Sequence, residues 1–340
     1  MNTFKSKFDE HLFKFWINLS FLIVISIILI GGLTRLTESG LSITEWELFK
    51  GILPPLSLNE WNEYFDKYKT IPQFQLLNSN MNLEEFKIIF LWEYAHRMLA
   101  RFLGLFFLIF FIYFKVTKQL SRTSSNYLSL IFLLIIVQGI IGWLMVKSGL
   151  NNSVTVSHYR LALHLLSAFI ITTLIFWFIL NINNKTNINL FKSYSNHSEF
   201  RLLILILFIQ IILGAFVSGL DAGKIYQTWP SMNGYFFPDD LSLNNINLDQ
   251  PSFVQFLHRT FAYLIMMLTF YVGYKIFIKK KKKLYYNYFS FLFLITAQVT
   301  FGILVLFTNV NIYMASTHQI LGIFLILTSI RMYYYSLKDY

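Results

Sequence analysis

The stretch Glu93-Tyr94-Ala95-His96-Arg97 lies near the start of an apolar run that extends from about residue 88 to residue 114. A helix of about 20 residues crosses the roughly 30 Å hydrocarbon core of a bilayer, so this run is long enough to span a membrane. A carboxylate, an imidazole and a guanidinium therefore lie inside or at the edge of a membrane, where each charged side chain costs roughly 2.5 to 3.5 kcal/mol to insert. That cost indicates a functional cluster. A related string, Gln255-Phe256-Leu257-His258-Arg259, begins another apolar run later in the chain.

Composition indicates a polytopic membrane protein. The 340 residues are 56% hydrophobic and 19% aromatic, with only 13% charged residues, which is far more apolar than an ordinary soluble domain. The net charge of +11 does not indicate nucleic-acid binding, because the lysines and arginines fall mostly between apolar runs and form no basic face. Cysteine is absent, which excludes disulfides, thiolate metal sites and a cysteine nucleophile. Any metal chemistry must therefore depend on histidine and carboxylate.

Eight apolar runs predict an all-α integral membrane protein with eight transmembrane helices. The runs cover approximately residues 15–33, 88–114, 127–146, 161–181, 201–220, 254–278, 285–307 and 315–335. The segment at about 34–87 is the longest polar stretch, and we expect an ordered or interfacial loop with short helices there. An even number of spans places both termini on one side of the membrane.

The distribution of basic residues predicts the orientation. With a cytoplasmic N-terminus, the cytoplasmic segments collect 17 of the 28 lysines and arginines, whereas the opposite loops carry most of the acidic residues. Both termini are therefore predicted to be cytoplasmic, with the loops at about 34–87 and 221–253 on the outer face. No Arg-rich, acid-poor transit segment precedes the first run, which favours a bacterial inner membrane over a mitochondrial one.

The chain is expected to contain two pseudo-symmetric four-helix bundles of the same orientation, residues 1–185 and residues 186–340. The repeated strings around His96 and His258 support this division. The first helix of each half ends in a glycine-containing string, and the third helices carry a Gln and a Gly at matched spacing. These strings are Gly31-Gly32-Leu33, Ser218-Gly219-Leu220, Gln138 to Gly142 and Gln298 to Gly302. Small residues at such positions allow helices to pack closely in lipid.

Four histidines share one predicted depth. His96, His164, His258 and His318 each lie roughly four to eight residues inside the outer end of an even-numbered span, about 6 to 12 Å into the hydrocarbon. Two imidazoles facing each other across a helical bundle are typical of axial haem ligation, whereas zinc needs three or four ligands within reach. For any single histidine the alternative is a hydrogen bond to a neighbouring helix. His158 ranks below His164 as a ligand, because six residues separate the two and place them on different sides of a helix.

A difference between the halves indicates where a reaction takes place. Glu93 lies three residues before His96 on the same helix face, whereas the matched position of the second half holds the neutral Gln255. A buried carboxylate beside a metal centre accepts a proton or stabilises positive charge, so the reaction is predicted to take place in the first half. The alternative is a simple ion pair between Glu93 and Arg97. Arg97 and Arg259 are also placed to meet haem propionates near the interface, with snorkelling to lipid phosphates as the alternative.

Several strings together resemble haem A synthase, and the resemblance runs from about residue 16 to residue 335. Members of this family are eight-helix membrane proteins that oxidise the C8 methyl group of haem O to a formyl group, giving haem A for cytochrome oxidase. The absence of cysteine resembles the alphaproteobacterial and mitochondrial class. The strings are Gly31 to Ser42, Thr44-Glu45-Trp46, Gly51 to Pro55, Glu93 to Arg97, Tyr159 to His164, Gly219 to Gly223 and Thr228-Trp229-Pro230.

The resemblance implies a division of labour among the four histidines. His258 and His318 are expected to hold a bound haem B, and His96 and His164 to face the substrate haem O, with Glu93 as the essential acidic residue. The haem sites are then expected in the outer, periplasmic half of the membrane. Delivery of haem O by a haem O synthase, an electron acceptor or donor in the membrane, and a homo-oligomer are further expectations.

Two other classes of function stay open at the level of the sequence. One is a cytochrome b that carries electrons from a quinol through two permanent haems. The other is a transporter built on parallel repeats, whose histidines would line a substrate or proton path. The contrast between Glu93 and Gln255 argues against the electron carrier, since two equivalent haem sites give no reason for it.

Overall fold

The computed structural model describes residues 2–46, 50–150, 153–192, 197–242 and 246–338, and within these ranges the fold is all-α. Apart from one isolated bridge between Met232 and Tyr235, no strand pairing occurs in the described residues. The α-helices are α1 Lys7–Leu36, α2 Leu58–Lys69, α3 Pro72–Leu77, α4 Leu83–Val116, α5 Arg122–Leu150, α6 His158–Asn184, α7 Ser198–Gly219, α8 Pro251–Ile278, α9 Tyr285–Phe307 and α10 Ile312–Lys338.

The prediction of eight membrane-spanning helices is confirmed. Helices α1 and α4 to α10 are long and apolar enough to cross a bilayer. The short helices α2 and α3 lie in the polar segment where short helices were expected. Helices are the natural solution in lipid, because each satisfies its own backbone N–H and C=O groups where water is absent. The pseudo-symmetric pairing of two four-helix bundles and the side on which the termini lie stay predictions.

Local capping explains where several helices begin. The Ser6 side chain accepts a hydrogen bond from the Asp9 backbone N–H at the start of α1. Ser57 with Glu60 and Asn82 with Glu85 form reciprocal capping boxes at the starts of α2 and α4. Each box satisfies N–H groups that a helix leaves without an internal partner. The second box starts α4 one turn before the apolar run, so this helix projects beyond its hydrophobic part.

The chain forms two compact units, Met1–Arg160 and Leu161–Tyr340. In the first unit α4 packs against α1, α2 and α5. Trp16 of α1 is fully buried, and its ring centroid lies 5.1 to 6.1 Å from the rings of three phenylalanines on α4. Aromatic pairs at this spacing contribute more than the area they bury. The three phenylalanines are Phe107, Phe110 and Phe114.

The α1–α4 connection, residues 37–82, has a core of its own. Tyr68 of α2 is fully buried, donates a hydrogen bond to Gln73 Oε1 at 3.0 Å and accepts one from Asn78 Nδ2 at 2.8 Å. Burial raises the pKa of the Tyr68 phenol, so the group stays a neutral donor. Gln73 Nε2 in turn donates to the Glu38 backbone oxygen at 3.1 Å. The described part of the connection, residues 37–46 and 50–82, is therefore ordered and contains short helices, as the sequence predicted.

In the second unit four helices close a ring. Helix α7 packs on α8, α8 on α9, α9 on α10 and α10 back on α7. Helix α6 joins the same unit through α10, where the Trp177 ring lies 5.2 Å from Tyr334. The Tyr334 hydroxyl donates to the Leu180 backbone oxygen at 3.1 Å and lies 2.5 Å from the Thr186 hydroxyl. The predicted halves 1–185 and 186–340 stay a prediction, and α6 from Leu161 onward groups with the second unit.

The Tyr334 hydroxyl is expected to stabilise the α6–α10 contact. Tyr334→Phe removes a fully buried donor and leaves two oxygen atoms, on Leu180 and Thr186, without that partner. We expect the free energy of unfolding to fall by roughly 1 to 3 kcal/mol. Chemical unfolding of the detergent-solubilised protein measures the change. Tyr335→Phe is the matched control, because Tyr335 is only partly buried, and equal stability of the two variants would contradict the prediction.

Candidate functional site

The structure brings His258 of α8 and His318 of α10 together inside the second unit. Their ring centroids lie 6.5 Å apart, and the ring planes are inclined by 69°. Two imidazoles that share one first-row metal ion, each bonded at about 2 Å, have ring centres roughly 6 to 6.5 Å apart. A mutual twist is compatible with such ligation, since each ring only has to direct one nitrogen at the metal. The spacing therefore suits a pair of axial ligands.

The hydrogen bonds of His318 define its tautomer. Its Nδ1 lies 3.0 Å from the Gln298 backbone oxygen, and because a carbonyl oxygen only accepts, Nδ1 carries the proton. The lone pair is then on Nε2, which lies 3.2 Å from the Gln298 side-chain amide nitrogen. A bond from the distal nitrogen to a backbone carbonyl is the usual way in which a protein orients a metal-ligating histidine.

His258 has the same kind of partner on the preceding helix. Gln210 of α7 donates its side-chain amide to the His258 backbone oxygen at 2.9 Å and lies 3.4 Å from His258 Nε2. The side-chain oxygens of Gln210 and Gln298 are buried and accept no hydrogen bond from the described residues. Such an atom costs about 1 to 3 kcal/mol of stability. Metal ligation through Nε2 requires both amides to turn away from the rings, and at Gln210 this turn competes with the hydrogen bond to the His258 backbone oxygen.

The other two predicted ligands lie in different units. His96 of α4 belongs to the first unit, where its ring contacts α1 at Gly31. His164 of α6 belongs to the second unit. Their pairing on a substrate haem stays a prediction. His158 begins α6, and its ring lies 4.1 Å from the Tyr159 ring.

Glu93 is the most completely bonded carboxylate of the candidate site. Its Oε1 accepts hydrogen bonds from Arg97 Nε at 3.0 Å and Nη2 at 2.6 Å. Its Oε2 accepts from Ser42 Oγ at 2.7 Å and from the Ile43 backbone N–H at 2.9 Å. A carboxylate has about four acceptor sites, and all four are in use. The ion pair with Arg97 that the sequence left as an alternative is present, and donors face both oxygens of the carboxylate.

Side chains of α4 also hold the backbone of the α1–α4 connection. Arg97 Nη2 donates to the Ile43 oxygen at 3.0 Å, and the Tyr94 hydroxyl donates to the Ile52 oxygen at 2.7 Å. One turn further on, Arg101 donates to the Gly51 oxygen. We call this set of bonds, with those of Glu93, the first clamp.

A second clamp occupies the corresponding place on α8. Gln255 Nε2 and Arg259 Nη2 donate to the Tyr226 backbone oxygen at 2.9 and 2.8 Å, and Arg259 Nη1 donates to the Thr228 oxygen at 2.8 Å. Tyr226 is the counterpart of Ile43, because equal numbers of residues separate these two and the helix ends Leu36 and Gly219. Burial and hydrogen bonds to two aspartates raise the pKa of the Tyr226 phenol, which remains neutral. The aspartates are Asp239 and Asp240.

The two clamps differ at the position where the sequence differs. Glu93 accepts from the Ile43 N–H and also neutralises Arg97, whereas Gln255 donates to the Tyr226 oxygen. The Gln255 side-chain oxygen is buried and accepts no hydrogen bond from the described residues. The first clamp thus carries a largely buried ion pair, and the second a half-buried arginine bound to neutral groups.

A cavity of about 250 Å³ adjoins the first clamp. Arg97 and Lys147 supply two cations to its wall, and the rings of Trp46 and Trp143 lie 6.2 Å apart beside them. Lys147 lies 5.3 Å from the Trp143 ring centroid, and Glu45 contributes one opposing charge. The cavity is smaller than the 300 to 1,000 Å³ typical of a complete ligand pocket, so it suits one polar edge of a larger molecule.

Sequence reasoning missed the side chains that contact the ligand histidines from the preceding helices. Gln210 was not singled out, and Gln298 was quoted only in a repeated string assigned to helix packing, yet each lies against a histidine ring. A signal was present: a glutamine followed four residues later by a glycine occurs at Gln210, Gln298 and Gln138. Ser42 was quoted only as part of a longer string, and nothing in its own neighbourhood indicates that it bonds to Glu93.

Arg259 is expected to hold the α7–α8 connection, residues 220–250, against α8. Arg259→Ala removes the donors to the Tyr226 and Thr228 backbone oxygens, so the connection should open more often and be cut faster by an added protease. The cleavage rate between residues 226 and 242 measures this effect. Lys224→Ala is the control, because Lys224 makes only an exposed ion pair with Asp221 at 3.4 Å. Equal cleavage rates in both variants would show that the arginine does not hold the connection.

Comparison with known proteins identifies the family. A model of the family described as cytochrome oxidase assembly protein matches residues 14–330. The haem A synthase of Pelagibacter ubique is 47% identical over 324 residues, which cover 93% of this chain and 94% of the relative. Those of Brucella anthropi and Rickettsia felis are 39% and 38% identical over 316 and 321 residues, covering 92% of this chain in each case and 88% and 94% of the relatives. The chain belongs to the cytochrome oxidase assembly protein family.

Proposed function

We propose that this chain is a haem A synthase, which oxidises the C8 methyl group of haem O to a formyl group and so supplies haem A to cytochrome oxidase. The observation that carries the proposal is the His258–His318 pair, with ring centroids 6.5 Å apart, in a chain whose relatives are named haem A synthases. Axial ligation by two histidines in a helical bundle binds a haem without any cysteine.

His258 and His318 are the proposed ligands of a resident haem B. When bound, this group supplies one-electron transfer between the reaction and a carrier in the membrane. The chain's own residues do the orienting. The Gln298 carbonyl holds the proton on Nδ1 of His318 and keeps Nε2 as the ligand atom, while the ring of helices α7 to α10 limits the access of water.

The substrate haem O is proposed to bind in the first half, facing His96 and His164. Its methyl carbon is proposed to be hydroxylated twice, each time replacing one C–H bond by a C–OH bond from water while two electrons leave to the membrane carrier and two protons are released. The resulting hydrate loses water to leave the formyl group. Glu93 is proposed to stabilise positive charge that develops at that carbon. Its four hydrogen bonds support this role over proton transfer, because a preorganised charge needs no free lone pair, whereas a general base does.

The cavity beside the first clamp is proposed to receive the propionates of haem O. Arg97 and Lys147 line it, and carboxylates form their strongest hydrogen bonds with such cations. Arg97 has most of its donors engaged with Glu93 and Ile43, so Lys147 supplies most of the available charge. For the haem B, Arg259 is proposed as the corresponding cation.

The remaining parts of the proposal concern location and partners. Eight spanning helices make the chain a multi-pass membrane protein. The positive-inside bias supports a bacterial inner membrane with cytoplasmic termini and with the haem sites in the periplasmic half. Haem O is proposed to arrive from a haem O synthase, electrons to pass to a membrane carrier, and the protein to form a homo-oligomer.

A two-haem electron carrier is the alternative with a specific observation behind it, since one histidine pair has the geometry of axial ligands. Two permanent haems would, however, be served by two similar clamps. The clamps differ, because the charged Glu93 of the first corresponds to the neutral Gln255 of the second. That difference supports one resident haem and one substrate haem.

Replacement of either proposed ligand should remove the low-spin haem B spectrum. His258→Ala and His318→Ala each delete one axial nitrogen, so we expect a high-spin spectrum or loss of haem while the protein stays in the membrane. Absorbance of the purified protein and extraction of its haems measure both effects. His11→Ala, an exposed residue of α1, is the control. An unchanged spectrum in both ligand variants would rule out the pair, and wild-type protein that holds two equivalents of haem B and no haem A or hydroxylated haem O would favour the electron carrier.

Glu93→Gln should retain haem B and slow haem A formation by about 10²- to 10³-fold, the range for loss of one preorganised charge-stabilising group. The amide also replaces one acceptor oxygen by a donor NH₂ group. That group then meets either the donors of Ser42 and Ile43 or those of Arg97. Haem composition of cells that supply haem O and lack any other synthase measures the effect. Ser42→Ala is the matched control, because it removes one hydrogen bond and leaves the charge. An equal loss in both variants would assign Glu93 to holding the connection, and wild-type haem A in Glu93→Gln would exclude any role in the reaction.

A further inference from the structure

We infer that Gly31, Gly214 and Gly302 are positioning residues, each of which lets the imidazole of a proposed ligand histidine lie against the backbone of the preceding helix. The inference rests on the proposed haem chemistry and adds three residues to it. The sequence predicted Gly302 to let two helices pack closely. In the structure the space that a side chain would fill at each of these glycines is instead taken by a histidine ring.

The contact recurs at three of the four histidines. A Cβ atom built at Gly31 would lie 2.8 Å from His96 Cε1, and one at Gly302 would lie 3.0 Å from His318 Cε1. At Gly214 the corresponding distance to His258 Cε1 is 3.2 Å. Carbon atoms in ordinary contact lie about 3.5 to 4.0 Å apart, so any side chain at these positions would displace the ring.

Each glycine lies one turn after the backbone group that faces the same histidine. Gln298, four residues before Gly302, accepts from His318 Nδ1 through its backbone oxygen at 3.0 Å. The Ile27 backbone, four residues before Gly31, faces His96 without a strict hydrogen bond to Nδ1.

The copy at Gly214 has the same looser geometry as the one at Gly31. The Gln210 backbone, four residues before Gly214, faces His258 without a strict hydrogen bond to Nδ1. The backbone carbonyl and the glycine one turn later thus form the surface against which each histidine ring packs. A methyl group on the glycine would separate the ring from the carbonyl.

The physical consequence is control of which nitrogen meets the iron. A backbone carbonyl that already accepts a helical hydrogen bond retains a second lone pair, and only a residue without Cβ leaves that lone pair accessible to a ring from a neighbouring helix. The bond keeps the proton on Nδ1 and directs Nε2 away from the helix. Loss of such an orienting partner typically lowers metal affinity by about 10- to 100-fold.

The test places alanine, in the complete membrane protein, at glycines that contact a histidine ring and at glycines that contact nothing. Gly302→Ala and Gly214→Ala should lower the affinity for haem B by about 10- to 100-fold, with the larger effect at Gly302, where the contact is shorter. They should also shift the low-spin absorbance band and the midpoint potential of the haem that remains. Added imidazole should restore the low-spin band, because it replaces a displaced ligand and repairs no unfolded helix.

Gly104→Ala and Gly139→Ala are the matched controls, since a Cβ at either position meets nothing within 4 Å. Gly31→Ala should leave the haem B spectrum unchanged and lower haem A formation, because its contact is with His96. A wild-type affinity, spectrum and potential in Gly302→Ala and Gly214→Ala would overturn the inference, as would a loss that imidazole does not reverse. Wild-type protein that binds no haem would instead overturn the proposed function.

Discussion

Two arginines, each one residue after His96 or His258, fix the architecture of the candidate site. Each binds main-chain oxygens of the connection that precedes its own helix. Arg97 and Arg259 sit one residue after a histidine on α4 and α8, so the helix that presents the imidazole also holds the connection. A buried guanidinium is costly without partners, and backbone oxygens that would otherwise lack donors are the natural ones. Removing either arginine would therefore leave those backbone oxygens without these donors.

The two clamps differ in charge at one matched position. Glu93 gives the first clamp an ion pair with every acceptor site of the carboxylate occupied, whereas Gln255 leaves a buried oxygen without a donor among the described residues. Fixed charge is useful where a reaction creates charge, and a neutral clamp is sufficient where a haem only exchanges electrons. The structure shows that Glu93 forms the ion pair with Arg97, and its part in a reaction stays a proposal.

The spans, the short helices of the α1–α4 connection and the four histidines were predictable from the sequence, because hydropathy and residue spacing are local properties. The partners of those residues were not. Arg97 binds the oxygen of Ile43, an atom that every residue possesses, and no pattern of side chains marks it. The contacts between glycines and histidine rings were not predictable for a related reason. Gly31, Gly214 and Gly302 look the same in sequence as glycines that only let helices approach each other. Only the positions of the rings of His96, His258 and His318 distinguish the two uses.

The backbone character of both clamps has an evolutionary consequence. Because Arg97 and Arg259 bind main-chain oxygens, most substitutions at Ile43, Tyr226 or Thr228 leave the bonds intact. The clamped positions can therefore diverge in sequence while the main-chain bonds stay the same. Relatives of this chain can thus adapt these segments to different surroundings without moving the histidines beneath them.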